Sequence, residues 1–188
     1  MKRIARVLLA ALLGFGAPAA LAACKSSSPE PAAAPTATTA SQFGGTDLAW
    51  IEINIAMDEE LVPLLELVPE RSGSPSVQAL ALQVQAFTNA ELSSLRALHD
   101  QAGLPAKNPH KGMPMPGMVT PELVTQANAL TGKAFDQAVV KAIQAHLEQS
   151  QSLATSEEKS GVEPQTRDLA LQVLRTREAA LSTLKSAT

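Results

Sequence analysis

The chain has 188 residues, a single cysteine, 3% aromatic residues and an acidic balance of 15 Lys and Arg against 18 Asp and Glu. One cysteine excludes a fold held together by internal disulfides, and the acidic balance disfavours nucleic acid as a binding partner. The length is sufficient for one domain with a hydrophobic core.

The first 23 residues have the features of a bacterial export signal. Three basic residues among the first six precede an apolar run that extends to Ala23, and this run is too short and too rich in Gly and Pro for a bilayer-spanning helix. It ends in Leu-Ala-Ala-Cys, which is similar to the lipobox of bacterial lipoproteins. We therefore predict a signal peptide over 1–23, lipidation of Cys24, and a protein anchored to the extracytoplasmic face of a membrane. The alternative is ordinary signal-peptide cleavage near Ala23.

Residues 24–45 are rich in Ser, Pro, Ala and Thr and contain too few large apolar residues to form a core. We predict a disordered linker that holds the folded domain away from the membrane. Cleavage after residue 23 would remove three basic residues and no acidic one, which leaves 12 Lys and Arg against 18 Asp and Glu, a net charge of −6.

From residue 46 to residue 188 the apolar residues recur with a helical period. The spacing predicts a short helix that opens at Thr120 and stops at Gly132. It also predicts four long helices, over about 47–71, 75–101, 134–160 and 164–185. Pro63 and Pro69 lie inside the first of these, where we expect a kink at Pro63 and an early end of the regular helix at Pro69.

The two pairs of long helices resemble each other. Leu-Ala-Leu-Gln-Val begins at Leu80 and again at Leu169, and each copy follows a Gly-then-Pro break. Chance similarity between Ala-rich helices is the alternative, but the matched breaks favour duplication. Two helical hairpins joined by a longer connection predict an all-α four-helix bundle, with the short extra helix in the crossover.

The proline-rich connection contains the first candidate site. Four side chains with soft ligand atoms lie within nine residues of one another: His110, Met113, Met115 and Met118. Thioether sulfurs and imidazole suit Cu(I), and the prolines between them keep the segment out of a helix. The alternative is that these methionines only pack the loop onto the end of the bundle.

A second candidate site lies inside the bundle, because three ionisable residues fall on apolar helix stripes. These residues are Asp58, Glu91 and His146. A lone buried charge has a large desolvation cost, so we expect His146 and Glu91 to meet across the bundle, with Asp58 as a candidate third member. Such a cluster is either a satisfied hydrogen-bonded group of the core or an altered metal site.

Several short segments together resemble a known family: Thr46–Trp50, Asn108–His110, Met115–Met118, Phe135–Asp136 and His146–Ser150. The family is the one numbered 305 among the domains of unknown function. The resemblance covers about Thr46 to Leu184 and implies a ferritin-like bundle in exported, often lipid-anchored bacterial proteins. Some members are linked to copper handling, and the family has no agreed activity.

The chain departs from this family at two histidine pairs. Typical members carry His-His in the first helix of each repeat, but here the pairs fall on Met57-Asp58 and His146-Leu147. A glutamate typical of each second helix is kept as Glu91, whereas the equivalent position of the second repeat is Ala180. A metal role inferred from the paired histidines is therefore weakened here.

The sequence does not indicate an enzyme. A di-iron centre needs Glu-x-x-His repeats, and Arg96, Lys107 and Ile143 stand three residues before the three histidines. The sequence also contains no Gly-rich phosphate loop and no serine elbow. We predict a non-enzymatic binding module of the cell envelope, with copper as the candidate ligand. The alternative is a metal-free interaction or structural protein that binds another envelope protein.

Overall fold

A computed structural model describes residues 42–187, with side chains as far as Lys185. The predicted signal peptide, Cys24 and the linker up to residue 41 lie outside the described residues. None of the helices that are described is both long enough and apolar enough to cross a membrane.

The regular structure of residues 42–187 is entirely helical, which confirms the predicted all-α class. Five helices follow one another along the chain: α1 Gly45–Arg71, α2 Pro75–Ala102, α3 Pro121–Asn128, α4 Gly132–Ser160 and α5 Pro164–Ala187. Pro75, Pro121 and Pro164 each stand at the first position of a helix, where the missing N–H is not needed for a helical hydrogen bond.

Helix α1 is continuous through both of its prolines and reaches Arg71, so the expectation that Pro69 ends it early is wrong. Each proline removes one backbone donor from the helix. This loss is offset by an apolar face that is buried on both sides of Pro63, and whose side chains are each at most 1% exposed: Leu61, Leu64, Leu65 and Val68.

Helix α3 ends at Asn128, before the predicted stop at Gly132. The guanidinium of Arg71 donates hydrogen bonds to the carbonyl oxygens of Asn128 and Leu130, which satisfies acceptors that a longer helix would use. Gly132 has a φ of 54° and begins α4 instead, two residues before the predicted start. A left-handed conformation at this point favours glycine.

The four long helices pack against one another in a closed set of neighbours. Helix α1 lies against α2 and α4, and α5 lies against α4 and α2, whereas the short α3 contacts α1 and α4. The apolar core fills the space between the long helices. Its largest fully buried side chains include Phe135, Ile51, Leu61, Leu95, Ile143 and Leu147.

Asp47 joins the start of α1 to the turn between α4 and α5. Its Oδ1 accepts hydrogen bonds from the backbone N–H groups of Val162 (2.9 Å) and Glu163 (3.2 Å), and its Oδ2 accepts one from Gly44 (2.6 Å). A carboxylate that accepts backbone N–H groups at a helix N-terminus is favoured by the helix dipole as well. This side chain therefore fixes where the chain enters the folded domain.

Candidate functional site

A buried polar cluster lies between the four long helices, and each of these helices contributes one ionisable side chain. The members are Asp58 from α1, Glu91 from α2, His146 from α4 and Arg177 from α5. Glu91 is 6% exposed and the other three are fully buried. The structure thus places the three residues singled out in the sequence around a fourth that was not predicted.

The guanidinium of Arg177 is the centre of this cluster. Its Nη2 lies 3.0 Å from Oε1 and 2.8 Å from Oε2 of Glu91, and 3.8 Å from Oδ1 of Asp58. Its Nε donates to Oγ of Ser150 at 3.0 Å, and its Cζ lies 4.6 Å from the centre of the Phe87 ring. These contacts satisfy a buried positive charge from several directions.

His146 lies beside this centre as a neutral base. Its Nε2 is 3.4 Å from Oδ1 of Asp58, but within the described residues the ring makes no well-aligned hydrogen bond with another side chain. Burial and the positive charge of Arg177 lower the pKa of His146 to about 3, although Glu91 and the Gly117 backbone oppose this shift. The imidazole is therefore uncharged at neutral pH and keeps a lone pair for a ligand.

The two carboxyls of the cluster have raised pKa values. Burial raises the pKa of Asp58 to about 7, against the charge of Arg177. Burial and the negative charge of Asp58 raise the pKa of Glu91 to about 8, again against Arg177. The single guanidinium neutralises only one carboxylate, so the two carboxyls together retain one proton near neutral pH.

The structure divides the four predicted loop ligands into an outer and an inner pair. Met113 is 44% exposed, and His110 is half-buried and accepts a hydrogen bond from the Met113 N–H through its backbone carbonyl (3.0 Å). Met118 is only 6% exposed, and the half-buried Met115 packs into the same apolar cluster.

The inner pair meets a third methionine that the loop prediction did not include. Met57 of α1 is fully buried and packs with Met115 and Met118, and we call these three residues the methionine cluster. Ala56, Ile53 and Leu153 complete its apolar surroundings. In the sequence, Met57 was identified only as the position of an absent histidine.

Gly117 brings the methionine cluster and the polar cluster together. At a φ of 74°, its position leaves no room for a Cβ, which would lie 2.6 Å from Cβ of Gln149 and 2.8 Å from the carbonyl oxygen of Ala145. The loop backbone therefore lies directly on α4 at the turn that carries His146. On the other side of the loop, Met57 precedes Asp58 in α1, so the two clusters are neighbours.

Across residues 42–187, the His, Cys, Asp and Glu side chains form no group of three that is arranged to hold a metal ion. In the polar cluster the carboxyl of Glu91 is hydrogen-bonded to the guanidinium of Arg177 instead, and the carboxyl of Asp58 lies 3.8 Å from the same nitrogen. This absence concerns His, Cys, Asp and Glu, and does not concern the thioether groups of methionine.

Comparison with known protein families matches the chain to Domain of unknown function (DUF305) over residues 47–188. The chain belongs to the DUF305 family. This confirms the resemblance seen in the sequence. No curated protein matches the chain.

Two solved structures of other DUF305 proteins are similar to this domain. A DUF305 fragment from Deinococcus radiodurans has a TM-score of 0.68 and 17% identity, and covers 77% of this chain and 96% of that one. A presumptive secreted DUF305 protein from Streptomyces coelicolor has a TM-score of 0.64 and 18% identity, and covers 74% of this chain and 88% of that one. At these identities the likeness shows a shared fold.

The two helical hairpins of this DUF305 domain contribute different kinds of side chain to the polar cluster. Asp58 and Glu91 come from the first helical hairpin, and His146 and Arg177 come from the second. The two Leu-Ala-Leu-Gln-Val segments are separated by 89 residues, from Leu80 to Leu169, and at this separation Arg177 corresponds to Thr88. The cluster is therefore formed only where the two hairpins meet.

Sequence reasoning missed Arg177, although α5 carries a signal for it. The buried stripe of α5 has helical spacing and is interrupted by a single arginine at its middle; its other members are Ala170, Val173, Ala180 and Leu184. Two carboxyls and one imidazole had been placed in the core without a cation. An arginine on an apolar stripe was the partner that they required.

The raised carboxyl pKa values predict that the domain loses stability as pH rises above neutral. Glu91 and Asp58 bind a proton more tightly when folded, so their contribution is fully present below their unfolded pKa and is lost as pH rises through about 7 to 8. His146 acts in the opposite direction, but only below its ordinary pKa of 6.5. From pH 6.5 to 8.5 we expect the free energy of unfolding to fall by about 1 kcal/mol per pH unit.

Urea unfolding at several pH values measures this slope. Glu91→Gln, which resembles the protonated carboxyl, is the matched variant and should flatten the pH dependence above pH 6.5. Glu157 adds to the effect, because burial and the neighbouring Asp47 carboxylate raise the pKa of Glu157 to about 8. A free energy of unfolding that rises between pH 6.5 and 8.5 would contradict the proton that we assign to the carboxyls of Asp58 and Glu91.

Proposed function

We propose that this DUF305 domain is a non-enzymatic binding module that holds a soft, monovalent metal ion, Cu(I), at the methionine cluster beside His146. The observation that carries the proposal is that Met57, Met115 and Met118, from two separate segments, pack together, while the loop that holds two of them makes a backbone contact with the neutral imidazole of His146. The backbone of Gly117 connects the two features, since it contacts α4 at the turn of His146.

The chemistry of these side chains fits Cu(I) better than a hard or divalent ion. Thioether and imidazole are soft, uncharged ligands. Their apolar surroundings, Ala56, Ile53 and Leu153, do not supply charge to balance a divalent ion. The ligand set differs from the loop motif seen in the sequence: Met115 and Met118 remain, whereas His110 and Met113 lie outside it.

The proposal also includes the architecture and the location of the protein. We propose that the four long helices form a ferritin-like bundle. Helix α1 packs on α2, helix α4 packs on α5, and the two pairs pack on each other. We propose export and attachment of a lipid to Cys24, on the basis of the signal and lipobox pattern at residues 1–24. The Streptomyces coelicolor protein, presumptively secreted, is consistent with export.

A second candidate function is a metal-free envelope protein that binds a protein partner. It is favoured by the burial of Met57 and Met118, at 0% and 6% exposure, which equals that of core leucines. Methionines in such positions serve as adaptable apolar filler. In this case their thioethers have no role beyond packing the loop onto α1 and α4.

Competition with the chromophoric chelator bicinchoninate under reducing conditions distinguishes the two functions. The mature chain carries Cys24→Ser, so that no thiol competes for the ion. We expect one Cu(I) per chain, and we expect the inner variant, with Met57, Met115 and Met118 each changed to Leu, to weaken binding about 100-fold or more. Leucine is a well-tolerated replacement for buried methionine, and thermal unfolding checks that the variant is folded.

The matched control is the outer variant, His110→Gln with Met113→Leu, which should change the affinity by less than about threefold. If the outer variant alone abolishes binding, the metal site is the exposed end of the loop. If the unaltered chain does not compete with the chelator, the metal proposal is wrong and the metal-free function is favoured.

A further inference from the structure

The polar cluster contains side chains of the types that bind divalent metal ions, but they are not arranged to hold an ion and a guanidinium stands among them. Asp58, Glu91 and His146 supply two carboxyls and one neutral imidazole from three different helices. This combination of ligands suits divalent ions such as Zn²⁺ and Co²⁺. Arg177 contacts both carboxyls, at 2.8 Å and 3.8 Å, and is itself fully buried.

We propose that Arg177 is a specificity-determining residue that closes the interior of the domain to divalent metal ions. Its guanidinium supplies the positive charge that the two carboxyls require and holds them in place of a metal ion. If Arg177 excludes divalent ions from the interior, a bound metal ion is restricted to the methionine cluster. This consequence for metal selectivity is the only part that rests on the proposed function. The exclusion of divalent ions follows from the geometry of Arg177 itself.

Two physical effects keep Arg177 in this position. An entering divalent ion would lie a few ångströms from the guanidinium, where repulsion between the two cations is strong because the cluster is buried. Arg177 also cannot move away without losing the hydrogen bonds of its Nε to Ser150 (3.0 Å) and of its Nη2 to Glu91. A buried, always-charged side chain without partners is strongly unfavourable.

One carboxyl of the polar cluster, that of Glu91, borders a small cavity. A cavity of about 40 Å³ lies between α2 and α5 and is lined by Phe87, Ala90, Gln172 and Thr176 beside Glu91 itself. This volume is enough for one water molecule. The space beside Glu91 can therefore hold a small ligand, and the guanidinium of Arg177 is the cation that contacts this carboxyl.

The test is a Co²⁺ titration of the mature chain, read by visible d–d absorption and by thermal unfolding. We expect the unaltered chain to show no d–d bands and no change of Tm up to millimolar Co²⁺. We expect Arg177→Met to bind Co²⁺ at least about 100-fold more tightly than the unaltered chain, with a Tm that rises with Co²⁺ concentration. Adding Glu91→Gln to that variant removes one ligand and should weaken binding at least about tenfold.

Arg175→Met is the matched control, since this exposed arginine lies two residues away on the same helix. It should behave as the unaltered chain does. If Arg177→Met is unfolded without metal, recovery of the helical circular dichroism with Co²⁺ supports the proposal. Arg177→Gln, which keeps an amide donor, is the second variant.

Three results would overturn the proposal. The first is Co²⁺ binding by the unaltered chain that Glu91→Gln abolishes. The second is a folded Arg177→Met or Arg177→Gln chain that does not bind Co²⁺, and the third is failure of Co²⁺ to restore the fold of either variant. Because Met57, Met115 and Met118 take no part in this readout, failure of Cu(I) binding would leave the outcome unaffected.

Discussion

Arg177→Met is expected to lower the free energy of unfolding by about 3–5 kcal/mol, which is a large effect for a single substitution. The change leaves the carboxyls of Glu91 and Asp58 buried without the cation that they both contact. Their raised pKa values limit the cost, because both can take up protons below about pH 7. The loss should therefore be smaller at pH 6 than at pH 8.5, as measured by urea unfolding.

Two further variants separate the charge effect from the loss of a large side chain. Arg175→Met removes an exposed arginine from the same helix and should cost less than about 0.5 kcal/mol. Glu91→Gln, added to Arg177→Met, removes one of the stranded carboxyls and should recover part of the loss. If Arg177→Met costs no more than Arg175→Met, the polar cluster does not depend on its cation, and the stabilising role assigned to Arg177 is wrong.

Gly117→Ala is expected to cost about 3 kcal/mol and to detach the loop from α4. The added Cβ would lie 2.6 Å from Cβ of Gln149 and 2.8 Å from the carbonyl oxygen of Ala145. A backbone oxygen cannot rotate away as a flexible side chain can, so the loop itself must move. Faster hydrogen exchange at Met118 and Val119, the buried residues of the loop itself, would report this movement.

Gly112→Ala is a closely matched control, because Gly112 lies in the same loop and has the same φ of 74°. No atom lies within 4 Å of the Cβ that alanine would add there. This variant should therefore show only the cost of a left-handed alanine, about 1–2 kcal/mol. Equal effects of the two substitutions would show that the close approach to α4 is not important for stability.

Gly117→Ala also tests whether the loop and the proposed metal site act together. Detachment of the loop would remove Met115 and Met118 from Met57, so Cu(I) affinity should fall with Gly117→Ala and be kept with Gly112→Ala. The polar cluster should be less affected, since Arg177, Glu91 and Asp58 lie on helices rather than on the loop.

The sequence alone determined the helical class, the position of the long helices to within a few residues, and the DUF305 family. Helical periodicity, capping residues and proline positions are local properties that appear directly in the order of residues. Local rules failed where a distant group intervened. Helix α1 continues past Pro69 because it buries apolar residues against other helices. Helix α3 ends early where Arg71 donates to the carbonyl oxygens of Asn128, its last residue, and of Leu130 just beyond it.

The candidate site was likewise predicted in part from the sequence and in part shown only by the tertiary structure. The sequence placed Asp58, Glu91 and His146 on buried stripes because burial of a helix face follows from spacing along one helix. It did not place Arg177 with them, nor Met57 with Met115 and Met118, since these contacts join residues that are tens of residues apart. The packing of all four helices together determines which helix faces meet and how the helices are positioned along their axes relative to one another. Only the tertiary structure therefore decided that a cation lies between the carboxyls and that the loop covers the histidine.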